Sequence, residues 1–190
     1  YLTVCQDAAV GITTTTPQLP SVMRIAETVR RLRPDLKLIL GGPHVTLVYS
    51  AKKLEMKRGI TDGRGHRSAA QLEAAFDVLC SGDGEIAIFE ALKDDAPKLI
   101  DGDDPKGGLF LTDRMFTEGP MPARHLVDLQ SYRYSIEGHR ATSLIAQLGC
   151  PFGCGFCGGR HCQSPRRDCN GYPSPYPQES EALPVARGDT

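Results

Sequence analysis

The sequence lacks an excess of charge of either sign. Its 190 residues carry 22 Lys and Arg against 23 Asp and Glu, interspersed along the chain, for a formal net charge of −1. We therefore expect neither nucleic acid nor a membrane as a partner. It also lacks an apolar run near the roughly 20 residues that span a bilayer, and it shows no signal peptide. These absences predict a cytoplasmic protein, and the missing initiating methionine predicts a fragment of a longer one.

The seven cysteines do not form a disulfide pattern. An even number spread along a small chain would be typical of a secreted framework, but here five of the seven lie between positions 150 and 169. Cys5 and Cys80 stand alone in apolar surroundings, and we interpret both as small buried hydrophobic residues. The cluster near the C-terminus indicates metal binding instead.

Residues 1–94 alternate between strand and helix patterns, which predicts an α/β fold with a doubly wound parallel sheet. We expect one long helix over residues 20–33, a second over 68–75, and a third that ends at Leu92. Residues 46–65, rich in Lys and Arg and without clear periodicity, are predicted to be an exposed loop with a short helix. The predicted strands span residues 8–12, 37–40 and 76–80.

Each predicted strand runs into a loop of small or polar residues. In open parallel sheets, ligands bind beyond the carboxyl ends of the strands, so these loops should line one site. The three loops are Thr13–Thr16, residues 41–44 (Gly-Gly-Pro-His) and residues 82–85 (Gly-Asp-Gly-Glu).

Residues 95–140 are predicted to be a connector with a hairpin, whose strands are 98–100 and 109–111. The intervening turn contains Asp101, Asp103 and Asp104. It lacks the Glu that closes a calcium loop, so we do not expect calcium there. A new strand is expected from residue 141, and it leads into Cys150. Residues 161–190 are poor in aliphatic side chains and show no period, which predicts a disordered or aberrant tail.

Cys150, Cys154 and Cys157 follow each other at intervals of four and three residues on a loop rich in glycine. Three thiolates on a four-iron cluster would leave one iron open to a small molecule with an amine and a carboxylate. Phe156 would place a flat apolar face beside that cluster. A zinc site completed by Cys162 or His161 is the main alternative, and three unligated thiols are another.

The run QLGCPFGCGFC, residues 147–157, resembles the cluster loop of radical S-adenosylmethionine (radical SAM) enzymes, which follows the first strand of a partial β/α barrel. The resemblance implies that Cys150, Cys154 and Cys157 hold a 4Fe–4S cluster and that Phe156 lies near the adenine of S-adenosylmethionine. It further implies formation of a 5′-deoxyadenosyl radical, an electron donor such as flavodoxin or ferredoxin, and a small-molecule or peptide substrate.

The preceding half resembles the cobalamin-binding domain often fused ahead of such a core. The resemblance implies a Rossmann-like fold of the cobalamin-binding type over residues 1–94. His44 is expected to be a loop residue and not the cobalt ligand. The alternative is that the glycines belong to ordinary turns. The implied cobalamin contacts are Thr13, Thr14, Gly41, Gly42, Pro43, Gly82, Asp83 and Gly84.

The resemblance ends shortly after the cluster loop. Residues 141–160 would start the radical SAM core, and only about thirty residues follow where a partial barrel needs well over a hundred. No histidine-bearing loop for the lower face of cobalt is found before the first strand. We therefore expect a fragment that is inactive alone, from a cobalamin-dependent radical SAM enzyme. The alternatives are a radical SAM enzyme whose front domain has lost cobalamin, and a non-catalytic zinc-binding module.

Overall fold

A computed structural model of the chain describes residues 9–112, 114–115 and 123–141. The described residues up to Leu111 belong to one compact unit and those from Thr112 onward to another. Cys5, the predicted cluster loop and the predicted tail lie outside the described residues.

The first unit is built on a four-stranded parallel sheet. Its strands are adjacent in chain order: β1 (Ala9–Thr13), β2 (Lys37–Gly41), β3 (Val78–Gly82) and β4 (Leu99–Gly102). The three strands predicted from apolar runs are therefore confirmed, each shifted by no more than two residues.

Helices cover both faces of this sheet, as predicted for a doubly wound fold. They are α1 (Leu19–Leu32), α2 (Pro43–Lys57), α3 (Arg64–Ala75) and α4 (Gly84–Ala91). The first three pack on one face, against Leu38, Leu40 and Leu79. The fourth packs on the other face, where Ala87 and Ala91 contact a cluster that contains Ile39 and Cys80. Side chains alternate between the faces of a strand, which is why neighbouring residues of β2 belong to different cores.

Helix α1 closely matches its prediction because its apolar residues recur at helical spacing. Val22, Ala26 and Val29 are buried on its inner face, and Pro20 lies in its first turn. Arg30 and Arg31 lie in its last turn, where positive charge suits the helix dipole. Arg30 also forms an ion pair of 2.6 Å with Asp77, directly before β3.

Two predictions of local structure were wrong. Residues 46–65 are not mainly a loop, because α2 runs through Lys57 and buries Val45, Val48 and Tyr49 against the sheet. The hairpin between residues 98–100 and 109–111 is not formed. Leu99–Gly102 is a parallel partner of β3, and residues 109–111 are not a strand, so the first domain extends past the predicted boundary at residue 94.

Gly59 follows the C-terminus of α2 and has a left-handed backbone conformation. Its φ is +70°, its N–H donates to Met56 O at 3.1 Å, and the Ile60 N–H donates to Glu55 O at 3.0 Å. This pair of bonds is the Schellman motif. The Glu55 carboxylate then accepts the Gly65 N–H at 2.8 Å and the His66 N–H at 3.0 Å. One glutamate of α2 thus caps the start of α3.

The second unit contains a short antiparallel hairpin, formed by β5 (Ser135–Ile136) and β6 (His139–Arg140). The connecting residues Glu137 and Gly138 both have positive φ, 52° and 81°, as a two-residue turn of this hand requires. A hairpin thus occurs within the predicted connector, but its strands begin 37 and 30 residues later than expected. Over the described parts of both units, we find no helix that combines the length and apolar character needed to cross a bilayer.

Candidate functional site

The carboxyl edge of the sheet opens between β2 and β3. These neighbouring strands lead into helices on opposite faces, α2 and α4, so the loops that follow them separate. Only two residue pairs join β2 to β3, Ile39 with Val78 and Leu40 with Leu79, whereas five pairs join β1 to β2 and four join β3 to β4. Such a divergence is the place where open α/β sheets bind ligands. We call the space outside these strand ends the carboxyl-edge crevice.

The structure brings the three predicted loops to this one edge, but it exposes their residues unequally. Thr13, Pro43 and Gly84 are exposed, whereas Thr14 is 1% exposed. The four remaining predicted contacts are half-buried: Gly41, Gly42, Gly82 and Asp83.

Thr14 connects the first two loops. Its N–H donates to Gly41 O at 3.0 Å, and its carbonyl accepts the His44 N–H at 3.0 Å. Its hydroxyl donates to Thr15 O at 3.0 Å. Because this hydroxyl is buried and already bonded, it is not placed to contact a ligand such as the implied cobalamin. Thr13 is an exposed residue, and its hydroxyl oxygen lies beside Gly42, 2.5 Å from the position that a Cβ would take there.

Gly42 is glycine because of its neighbours in the fold. Its backbone lies at φ 94° and ψ −178°, a region open essentially to glycine alone. A Cβ there would lie 2.7 Å from Thr14 N and 3.0 Å from Thr14 O. The bare α-carbon therefore makes room for the β1 loop, as the ordinary-turn alternative expects.

Gly82 shows the same relation to β4. Its φ is +84°, and an added Cβ would collide with the backbone of Gly102 and Asp103. At the other two glycines the space is different. A Cβ on Gly41 would make an ordinary contact of 3.6 Å with Cys80 Cβ, and a Cβ on Gly84 would meet nothing within 4 Å. Gly84 therefore leaves open space that a bulky ligand could use.

His44 lies in the first turn of α2, not in the predicted loop. It is 9% exposed, and its Nδ1 lies 3.0 Å from the Thr16 hydroxyl. Burial lowers the pKa of this imidazole below its ordinary value. The neutral ring therefore ties the β1 loop to the start of α2.

Charge differs between the two helix N-termini that border the crevice. The first turn of α2 contains no acidic residue, so the partial positive charge of its dipole is not offset there. The first turn of α4 contains Glu85, and Asp83 occupies its N-cap position. The α2 side of the crevice is therefore the more favourable one for a negatively charged group.

Sequence reasoning missed two polar groups near this edge. The Thr46 hydroxyl accepts the Gly82 N–H at 2.9 Å and donates to Gly42 O at 3.3 Å. Ser81 is fully buried, and its hydroxyl has no hydrogen-bond partner within the described part of the chain. No sequence signal identifies Ser81. Thr46, four residues after Gly42, would have been a candidate if α2 had been predicted.

A second cleft, of about 310 Å³, lies beside the C-terminal half of α2. Its charged groups partly neutralise each other, because Lys53 and Asp101 form an ion pair of 2.6 Å. The cleft is lined by Lys53, Met56, Lys57, Asp101 and Asp104.

The predicted cluster ligands Cys150, Cys154 and Cys157, together with Phe156, lie outside the described residues. Within residues 9–112, 114–115 and 123–141, no group of three or more His, Cys, Asp or Glu could hold a metal ion. Cys80 is 7% exposed, and burial raises the pKa of its thiol. The prediction that Cys80 is a buried hydrophobic residue is confirmed.

Comparison with known proteins gives one informative similarity. No family model and no solved structure matches the chain. Over 161 residues the chain is 27% identical to an uncharacterized methyltransferase of Pyrococcus horikoshii, an alignment that covers 78% of this chain and 30% of that protein. The chain therefore spans less than a third of the length of this relative.

Proposed function

We propose that this chain is part of a radical SAM enzyme whose 4Fe–4S cluster is held by Cys150, Cys154 and Cys157. The observation that carries the proposal is the spacing of these three cysteines on a loop rich in glycine. The relative named a methyltransferase supports the coarser part of the proposal, that the parent protein is an enzyme. A methyl transfer that consumes S-adenosylmethionine would agree with both.

The three thiolates would bind three irons and leave the fourth for the amine and carboxylate of S-adenosylmethionine. Phe156 would present its ring to the adenine. A cluster held in this way would pass one electron from the donor to the sulfonium, whose C5′–S bond would break to give methionine and a 5′-deoxyadenosyl radical. A small-molecule or peptide substrate and a flavodoxin or ferredoxin as electron donor belong to the same proposal.

We further propose that the carboxyl-edge crevice binds cobalamin. The exposed residues Thr13 and Pro43 and the open space over Gly84 suit a bulky ligand that approaches from outside the strand ends. We expect fewer of the implied residues to contact cobalamin. Gly42 and Gly82 lie against backbone of neighbouring loops, and Thr14 is buried.

Reconstitution without oxygen tests the cluster. With iron and sulfide, the wild-type chain should develop a broad absorbance shoulder near roughly 400 nm, typical of thiolate-bound iron–sulfur clusters. Cys154→Ala should lose it. Cys162→Ala is the matched control, because Cys162 lies outside the proposed ligand set but within the zinc alternative. If wild type takes up no iron and binds one zinc ion that Cys162→Ala loses, the chain is a zinc-binding module.

Gel filtration with hydroxocobalamin distinguishes a cobalamin-dependent radical SAM enzyme from one whose front domain does not bind cobalamin. Cobalamin that elutes with the protein, and is lost when an arginine replaces Gly84, supports the crevice as its site. A chain that assembles the cluster but retains no cobalamin would be a radical SAM protein whose front domain does not bind cobalamin.

A further inference from the structure

One hydroxyl spans the opening of the carboxyl-edge crevice. Thr46 Oγ1 accepts the N–H of Gly82, which ends β3, at 2.9 Å, and donates to the carbonyl of Gly42, which follows β2, at 3.3 Å. Beyond Leu40 and Leu79 no residue pair joins the two strands. The hydroxyl therefore connects the two loops where the ladder between the strands has ended.

Both of its partners are backbone groups that cannot shift freely. Gly42 is confined by the backbone of Thr14, and Gly82 by the backbone of Gly102. Both have positive φ, 94° and 84°. Loss of the Thr46 hydroxyl would therefore remove only the connection between the two loops, because each loop is still held by its other neighbour.

We propose that Thr46 is a positioning residue: its hydroxyl sets the spacing between the loops after β2 and β3, and through that spacing the affinity of the carboxyl-edge crevice for its ligand. The second half of this inference depends on the proposed cobalamin binding, and the first half does not. Thr46 is not placed in contact with the ligand.

Three variants separate positioning from a general effect on stability. Thr46→Val keeps the shape of the side chain but removes the hydroxyl, and Thr46→Ser restores it. Thr28→Val is the matched control, because the Thr28 hydroxyl also donates to a carbonyl four residues earlier, Arg24 O at 2.8 Å, but lies on the exposed side of α1.

Amide hydrogen exchange, followed by NMR on the full chain, tests the spacing directly. Loss of one net hydrogen bond should raise exchange at the Gly82 amide by about 3- to 10-fold in Thr46→Val. Thr46→Ser and Thr28→Val should exchange there like wild type. Unchanged exchange at Gly82 in Thr46→Val would overturn the proposal, and so would an equal rise at core amides such as Leu40, which would mean that Thr46 only stabilises the fold.

A hydroxocobalamin titration tests whether the spacing of the loops affects ligand affinity. It is done well below the unfolding temperature. Affinity should fall by about 3- to 10-fold in Thr46→Val and recover in Thr46→Ser, because the loops would have to be reordered on binding. Equal affinity of wild type and Thr46→Val would refute the link between spacing and affinity. If wild type binds no cobalamin, the cobalamin part of the proposed function fails, and the Gly82 amide alone decides whether Thr46 sets the spacing.

Discussion

Replacing Gly42 with Ala should destabilise the sheet domain more than the same change at its neighbour Gly41. Gly42 combines a φ of 94° with close backbone on its open side, whereas an added Cβ on Gly41 would lie 3.6 Å from Cys80 Cβ, an ordinary contact. The two glycines are adjacent in sequence, so composition and local propensity are nearly identical. Only their places in the fold differ.

The magnitude follows from two contributions. The conformation of Gly42 costs a residue with a side chain about 1–3 kcal/mol. The approach of the new Cβ to Thr14 N, 2.7 Å, adds an overpacking cost of about 1–3 kcal/mol. We therefore expect Gly42→Ala to lower the free energy of unfolding by about 2–6 kcal/mol, a large part of the roughly 5–15 kcal/mol of a typical domain.

Two controls separate the contributions. Gly59→Ala carries the conformational cost alone, about 1–2 kcal/mol, because its φ is +70° and nothing lies within 4 Å of its added Cβ. Gly41→Ala should change stability by about 1 kcal/mol or less. Urea unfolding followed by circular dichroism measures all three. If Gly42→Ala cost no more than Gly41→Ala, the close approach of the first two loops would be incorrect.

Two further predictions concern buried polar groups. Because burial lowers the pKa of His44 in the folded state, the unfolded chain binds the proton more readily, so stability should fall as pH drops below about 6.5. Urea unfolding at pH 7.5 and 5.5 should show a smaller loss in His44→Gln, and an equal loss in both chains would contradict this. Tyr49→Phe should cost about 1 kcal/mol in the same assay, because the Tyr49 hydroxyl donates to Glu73 at 2.7 Å. No measurable change would mean that water replaces this bond without loss.

The central strands and α1 could be predicted because apolar residues dominate their buried positions. Helix α2 was missed although Val45, Val48 and Tyr49 recur at helical spacing. Its buried face also includes His44 and Ser50, which blur the apolar pattern. Tertiary contacts decide this case, because α2 packs chiefly against α3 and β3, which follow it in the chain.

The error at β4 has a different cause. Residues 98–100 and 109–111 are short apolar segments separated by a turn signal, and this pattern is shared by a hairpin and by one strand followed by a loop. Pairing with Leu79 and Cys80 determines the outcome, and the sequence of the segment alone does not contain that information.

The general position of the candidate site could be predicted, but the orientation of its residues could not. The rule that ligands bind beyond the carboxyl ends of parallel strands placed all three loops at one edge. Thr13 and Thr14 are equivalent in composition, yet one is exposed and the other is buried. That difference depends on the register of β1 against β2. A shift of this register by one residue would expose Thr14 and bury Thr13.

The central claim is that three cysteine thiolates leave one iron open to S-adenosylmethionine. Electron paramagnetic resonance of the reduced, reconstituted chain tests it directly, with spectra recorded before and after addition of S-adenosylmethionine. We expect a cluster signal whose shape changes on addition, in wild type and Cys162→Ala alike. Two results would contradict the proposed open iron. One is a cluster signal that does not change when S-adenosylmethionine is added, and the other is a preparation that binds zinc at these cysteines and no iron.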